Sequence, residues 1–253
     1  MKNIRIIPRL DIKGPNVVKP VQTEALRVVG DPKKLALHYY EGGADELIYL
    51  DIVASLYGRN IDFDLLKSVT ENIFIPITVG GGIRSIHDIN NVLRSGADKI
   101  AINTYAVRHP EFLSEAVREF GSQCIVLYVE AKKQPNGDYE AYTDGGRERS
   151  GFEVVNWIKR AIDLGIGEIL LTSVDQDGTR RGFDIELLKK VLAFSPIPVI
   201  AHGGAGKPET LKEAVLDAKV DALGISSIFH YNEFPIKEMK KYLYKNKINI
   251  RNV

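Results

Sequence analysis

A chain of 253 residues, 44% of them hydrophobic and 26% charged, can fill one large α/β core or two small ones. Thirty-four Lys and Arg against 33 Asp and Glu leave a net charge of +1, which excludes a strongly basic nucleic-acid binder and an acidic tail. A single cysteine, Cys124, excludes a disulfide framework, and neither a bilayer-spanning apolar run nor a signal-peptide core is present, so the expectation is a cytoplasmic protein.

Strands are predicted wherever short runs rich in β-branched residues recur. The first, 4–10, leads to Asp11, and the stretch up to Asp31 reads as a long loop, expected to act as a substrate lid. Lys19 in that loop reads equally as a phosphate ligand and as a solvated lysine. Asp31-Pro32 pairs an N-cap with Pro at the first helical position, ahead of Leu35, Leu37 and Tyr40. Strand 47–52 carries Asp51 near its end, and strand 74–79 runs into Gly80-Gly81-Gly82. Ser85 opens a helix with Ile86, Ile89, Val92 and Leu93 on one face and a stop at Ser95-Gly96. Strand 99–103 ends at Asn103-Thr104, and strand 124–129 ends at Glu130. Asn136-Gly137, central in 132–144, predicts a β-hairpin excursion. Phe152, Val155, Ile158 and Ile162 predict a helix on which Trp157 packs. Strand 168–173 precedes Asp175 and Asp177-Gly178-Thr179, and strand 197–201 precedes His202-Gly203-Gly204. Leu211, Ala214 and Val215 mark a further helix, and strand 222–226 ends at Ser226-Ser227.

Alternating strands and helices, with strands apolar nearly throughout, indicate a parallel sheet covered by helices. Eight such units favour a closed (β/α)8 TIM barrel of the phosphate-binding type, one domain spanning 1–253. An internal repeat agrees. Gly43-Ala44-Asp45-Glu46 aligns with Gly165-Ile166-Gly167-Glu168, and Pro76, Gly81 and Gly82 align in the same register with Pro198, Gly203 and Gly204. Two related half-barrels follow.

Such barrels carry their sites at the C-terminal ends of the strands. Gly81 and Gly82 with Asn103 and Thr104, and Gly203 and Gly204 with Ser226 and Ser227, let backbone N–H groups and side-chain donors approach an anion. Asp177, Gly178 and Thr179 would add substrate contacts. Two clusters half a barrel apart predict an elongated substrate with two phosphates; the alternative is glycines that merely make tight turns. Asp11 and Glu130 end strands one and five, opposite each other, where they can serve as general acid and general base. The five histidines, His38, His87, His109, His202 and His230, show no metal-ligand spacing, so neither metal nor cofactor is expected. The first three are expected at the surface or at helix ends.

Across nearly its whole length the chain resembles the cyclase subunits of imidazole glycerol phosphate synthases, of histidine biosynthesis. The residues that carry this begin with Arg5-Ile6-Ile7-Pro8-x-Leu10-Asp11-x-Lys13, Val17-Val18-Lys19, Gly30-Asp31-Pro32, Asp45-Glu46-Leu47 and Leu50-Asp51-Ile52. Thr78-Val79-Gly80-Gly81-Gly82-Ile83, Gly96-Ala97-Asp98-Lys99, Ile102-Asn103-Thr104 and Phe120-Gly121-Ser122-Gln123 follow. The last are the run 167–173, Asp177-Gly178-Thr179 and Gly203-Gly204-Ala205-Gly206-Lys207. The resemblance implies a heterodimer with a glutaminase subunit. Ammonia from that partner would enter at the N-terminal face through a ring corresponding to Arg5, Glu46, Lys99 and Glu168, with Asp98 a contact on that face. It would then react with a bisphosphate aminoimidazole carboxamide ribonucleotide to give imidazole glycerol phosphate and aminoimidazole carboxamide ribonucleotide. Read from the residues alone, the four charges can equally be a salt-bridged barrel floor.

The departures from the family pattern cluster near the chemistry. Glu130 stands where the family has Asp, and its extra methylene, displacing the carboxylate by about an ångström, is of a size that can cost about a hundredfold in rate. Arg9 replaces an uncharged residue, Tyr128 a small one, His202 a smaller polar one and Pro20 a glycine. By strand alternation Arg9 shares a face with Arg5 and Asp11 and so points into the lumen, where it needs Glu130 or Asp11 as its anion. These changes leave two further readings: a paralogue that uses ammonia to amidate a surface-polysaccharide sugar, and a non-catalytic scaffold for a glutaminase.

Overall fold

A computed structural model describes residues 3–22 and 24–251; Thr23 of the expected first loop, and residues 1, 2, 252 and 253 of the expected domain, lie outside them. In chain order the strands are β1 (Arg5–Lys13), β2 (Asn16–Val21), β3 (Glu24–Gly30), β4 (Leu47–Asp51), β5 (Ile77–Gly80) and β6 (Lys99–Ile102). β7 (Ile125–Lys133), β8 (Tyr139–Thr143), β9 (Glu148–Glu153), β10 (Glu168–Ser173), β11 (Val199–His202) and β12 (Ala222–Ile225) complete them. The helices are α1 (Pro32–Glu41), α2 (Phe63–Thr70), α3 (Ile86–Arg94), α4 (Thr104–Arg108), α5 (Glu111–Phe120), α6 (Val154–Asp163), α7 (Ile185–Leu192), α8 (Pro208–Glu213), α9 (Ser227–His230) and α10 (Ile236–Lys245).

Eight parallel strands close on themselves in the order β1, β4, β5, β6, β7, β10, β11, β12, with β12 returning to β1. The closed (β/α)8 barrel expected from the alternation is the observed fold. The lower half of β1, from Arg5 to Pro8, pairs with β12, and its upper half, from Arg9 to Ile12, pairs with β4. That stagger is the shear a closed barrel requires. Side chains alternate as the pleat demands. Ile7, Ile48, Leu50, Ala101, Val126, Leu170, Ile200 and Ala222 fill the lumen, while the opposite faces pack a larger core against the helices.

Side chains pin the strand starts. Asp45 accepts from Ile6 N at 2.8 Å, Asp98 from Ile77 N at 2.8 Å and Asp221 from Val199 N at 3.0 Å. Each carboxylate satisfies a backbone amide within the first two residues of its strand. Asp31 and Ser85 cap α1 and α3 as expected, accepting from Lys34 N and Asp88 N. Trp157 is buried on α6, and His38, His87 and His109 are exposed.

Three expectations need correction. The segment after Asp11 is not a loop: β1 continues to Lys13, and β2 and β3 form an antiparallel excursion on it. Phe152 belongs to β9, which pairs with β8, so the predicted hairpin at 132–144 is a three-stranded excursion and α6 begins only at Val154. Residues 74–76 precede β5, and Phe74 is 80% exposed.

Candidate active site

At the N-terminal end of the lumen the four charges form a closed circuit. Arg5 bonds Glu46 at 2.8 Å and Glu168 at 2.7 Å, and Lys99 bonds Glu46 at 3.0 Å and Glu168 at 2.8 Å. Each anion bridges two cations, which offsets the cost of burying the two carboxylates. Burial opposes the charges on Arg5 and Lys99, but the two glutamates outweigh it and hold both cations protonated.

Above the apolar lumen layer the barrel axis is crossed by a buried polar brace. Arg9 donates from Nε to Asp11 at 2.8 Å, from Nη1 to Thr172 Oγ1 at 3.1 Å, and from Nη2 to the Tyr128 hydroxyl at 3.2 Å. Its guanidinium lies over the Tyr128 ring, 5.2 Å from the centroid. Nη1 is also 3.1 Å from His202 Nδ1, and His202 Nε2 is 3.3 Å from Ser226 Oγ. Both contacts fit a neutral imidazole that accepts at Nδ1 and donates at Nε2. Burial, then Arg9 and Lys19, push the His202 pKa well below its ordinary value. Of the two candidate anions for Arg9, Asp11 is the direct partner; Glu130 is reached through Tyr128.

The two strand-end carboxylates live in different surroundings. Asp11 is fully buried between Arg9 and Lys19, whose Nζ is 3.7 Å from Oδ2. Burial opposes its charge, and the two cations overcome that, so Asp11 titrates below the usual carboxylate range. Glu130 accepts from Tyr128 OH at 2.9 Å, Asn103 Nδ2 at 2.8 Å and Gly146 N at 3.0 Å, with no cation in contact. Burial dominates there and raises its pKa from 4.5 to about 7, the Tyr128 bond and Arg9 offsetting only part.

Because folding raises this pKa, the native state holds the proton more tightly than the unfolded chain does. Stability should therefore fall as pH rises from about 4.5 to about 7, by an amount on the order of 3 kcal/mol. Glu130→Gln is expected to remove that slope. Urea unfolding midpoints of both proteins at several pH values across the window check it; parallel curves would contradict it.

Lys19 is not solvated. It sits on β2, is 2% exposed, and bonds Asp177 at 2.8 Å. The excursion is tied down at the same place, with Gln22 N donating to Asp177 O at 2.9 Å.

The glycine clusters flank this centre. Gly81 has φ +106°, and a Cβ there would lie 2.2 Å from Asp51 O; at Gly204, φ +100°, it would lie 1.9 Å from Gly182 O. Only glycine allows the backbone to pass so close. Gly81, Gly82, Asn103, Thr104 and Glu130 line a cavity of about 210 Å³. Gly203, Gly204, Ser226, Ser227, Asp177 and Gly178 surround a far smaller space, about 10 Å³, into which His202 also faces. Thr179 lies apart from both cavities, its hydroxyl donating to Gln176 O within its own turn at 2.8 Å.

Arg84 and Arg108 at the mouth of the larger cavity were missed from sequence. Arg108 follows Thr104 by four residues, one helical turn along α4, a spacing that places it over the same cluster. It pairs with Asp144 at 2.6 Å. Thr172 in the brace could have been found by strand alternation from Glu168.

A closed barrel with paired glycine clusters and opposed carboxylates at its C-terminal mouth has the architecture of barrel enzymes that work at the C-terminal ends of their strands. The family model described as "Histidine biosynthesis protein" matches residues 5–235. The chain is 58% identical over 209 residues, 83% of its length and 99% of the relative's, to imidazole glycerol phosphate synthase subunit HisF of Legionella pneumophila. It is 50% identical to the subunit of that name from Geobacillus kaustophilus and 45% identical to that of Alkaliphilus metalliredigens, covering 98% of both chains in each case. The chain belongs to the histidine-biosynthesis barrel family and, within it, to the cyclase subunits of imidazole glycerol phosphate synthase.

Proposed function

We propose that this subunit, a single barrel domain over 1–253, takes ammonia from a glutaminase partner in a heterodimer. It uses the ammonia to convert a bisphosphate aminoimidazole carboxamide ribonucleotide to imidazole glycerol phosphate and aminoimidazole carboxamide ribonucleotide. Asp11 and Glu130 are the proton-transfer pair. One phosphate rests on Gly81, Gly82, Asn103 and Thr104, and the other on Gly203, Gly204, Ser226 and Ser227, with Lys19, Asp177 and Gly178 beside it. Opening the second cluster requires His202 and the β2–β3 excursion to give way. The observation that carries the reading is the opposition of Asp11 and Glu130 between the two clusters, above an intact Arg5–Glu46–Lys99–Glu168 ring. Residues of these types can move protons at neutral pH without a metal or cofactor.

Steady-state turnover of the bisphosphate ribonucleotide with ammonium salt tests this without any partner. Measurable conversion is expected; none at saturating ammonium would sink the cyclase reading and favour amidation of another acceptor, such as a surface-polysaccharide sugar. The specific observation behind that second reading is the brace, since Arg9 and Tyr128 occupy the lumen through which ammonia would rise. Glu130→Asp is expected to lower the rate, because three donors within 3.0 Å are set for the longer side chain. A faster Glu130→Asp enzyme would show that the extra methylene hinders the chemistry.

The partner is tested by co-purification with a glutaminase encoded nearby and by its glutamine hydrolysis with and without this chain. A complex and a changed hydrolysis rate are expected. No binding and unchanged hydrolysis would leave the charge ring a packed floor.

A further inference from the structure

Arg9 joins the two candidate catalytic carboxylates: it bonds Asp11 directly and reaches Glu130 through Tyr128. Its three nitrogens face different partners: Nε the Asp11 carboxylate, Nη1 Thr172 and His202, and Nη2 the Tyr128 hydroxyl. Tyr128 OH donates onward to Glu130 Oε1 at 2.9 Å. A continuous chain of hydrogen bonds, Asp11–Arg9–Tyr128–Glu130, thus crosses the barrel from β1 to β7. All four side chains are largely buried, with Tyr128 and Glu130 also lining the larger cavity.

We propose that Arg9 is a positioning residue: its guanidinium locks the Asp11 carboxylate and, through the Tyr128 hydroxyl, aims the Glu130 carboxyl, so that the two acids hold fixed and unlike roles. This rests on the reading of Asp11 and Glu130 as the proton-transfer pair. The planar fork sets the angle between Asp11 and Tyr128, which a flexible ammonium could not do. Asp11, salt-bridged to Arg9 with Lys19 behind it, is ionised at rest and is the proton acceptor of the pair. Glu130 touches donors only, and is the group that exchanges its proton.

The groups facing Glu130 are few. Tyr128 shares its strand, Arg9 and Asp11 face it from β1, Asn103 reaches it from the end of β6, and Gly146 N from the excursion. Thr172 on β10 and Tyr142 on β8 are its neighbours in register. Asp51, Arg84 and Arg108 line the same cavity, and Arg9 is the cation joined to Glu130 through Tyr128, opposing the effect of burial on it. Removing it should raise the Glu130 midpoint.

Two measurements test the proposal. The first is a carbon-13 NMR titration of the Glu130 carboxyl in substrate-free protein, for wild type, Arg9→Met, Arg9→Lys and Tyr128→Phe. Arg9→Met and Tyr128→Phe should each move the midpoint upward by about half a unit or more. Arg9→Lys, which keeps the charge, should hold it near the wild-type value. The second is the pH–rate profile of ammonium-dependent turnover. Arg9→Met and Arg9→Lys should both lower kcat at least tenfold with KM little changed, since Arg9 aims groups that act on the substrate. The limb of the profile assigned to Glu130 should move with the NMR midpoint.

A folded Arg9→Met protein with an unmoved Glu130 midpoint would overturn the proposal, as would Arg9→Lys with full kcat. If Arg9→Met does not fold, Tyr128→Phe decides by the same NMR criterion. Absence of turnover in wild type would strike the cyclase reading alone, because the substrate-free titration still reports whether Arg9 governs Glu130.

Discussion

Asp11→Asn is expected to abolish ammonium-dependent turnover, lowering the rate between about a hundredfold and about ten-thousandfold, the range spanned by positioned acid–base groups. The amide keeps an oxygen for Arg9 Nε, so the shape of the site survives. The charge does not. Lys19 retains Asp177 at 2.8 Å, but the other partners of Arg9 are a phenol, a hydroxyl and a neutral imidazole. A buried guanidinium without a counter-ion should cost about 3 to 5 kcal/mol in stability as well. Calorimetric titration with the bisphosphate substrate and a urea melt separate the two effects. Affinity within a few-fold of wild type, with lost turnover and a lower melt, is the expected combination. A variant that keeps more than about a tenth of the rate would remove Asp11 from the chemistry.

Gly204→Ala should be among the most destabilising single substitutions in the chain, exceeding about 4 kcal/mol or preventing folding. The methyl would meet the carbonyl oxygen of Gly182 at 1.9 Å, and that carbonyl is itself fixed, Gly182 N donating to Gly204 O at 2.8 Å. Two mutually bonded backbones cannot separate without breaking the β11 connection from the turn before α7. Gly81→Ala meets Asp51 O at 2.2 Å and should behave alike. Gly137→Ala is the control. It has a similar φ of +88° but nothing within 4 Å, so it should show only the cost of the left-handed backbone, about 1 to 2 kcal/mol. Equal losses at Gly204 and Gly137 in urea denaturation would mean that close approach is not what requires glycine.

The barrel was legible because its signals are local and repeated. β10 is apolar from Ile169 to Leu171 between Glu168 and Thr172, and Ser85 announces α3 by its own side chain. The excursion after Asp11 was not legible, because what makes it strand rather than loop is distant. Lys19 turns inward toward Asp177, 158 positions away, and Gln22 bonds the same residue's backbone. β9 was hidden for a related reason: Glu148, Arg149 and Ser150 carry no apolar alternation, and pairing with β8 makes them a strand. Pleat alternation was enough to aim Arg9 into the lumen but not to choose between two carboxylates. The choice depends on Tyr128, whose hydroxyl stands between the guanidinium and Glu130.

The charge ring has a consequence in its symmetry. From Arg5 through Glu46, Lys99 and Glu168 back to Arg5, its contacts run 2.8, 3.0, 2.8 and 2.7 Å around a circuit of alternating sign. Two positive and two negative corners at nearly equal distances form a quadrupole, and on the central axis their Coulomb potentials cancel to first order. A charge placed on that axis would therefore feel almost no net pull or push from the four full charges, whatever its own sign. For a solute on the proposed ammonia route, discrimination would fall instead to the layer of Ile7, Ile48, Val126, Leu170 and Ile200 above, where an ion must shed its hydration and a small neutral molecule gives up little. If ammonia passes here as proposed, the apolar layer and not the charged ring would be what sorts by charge.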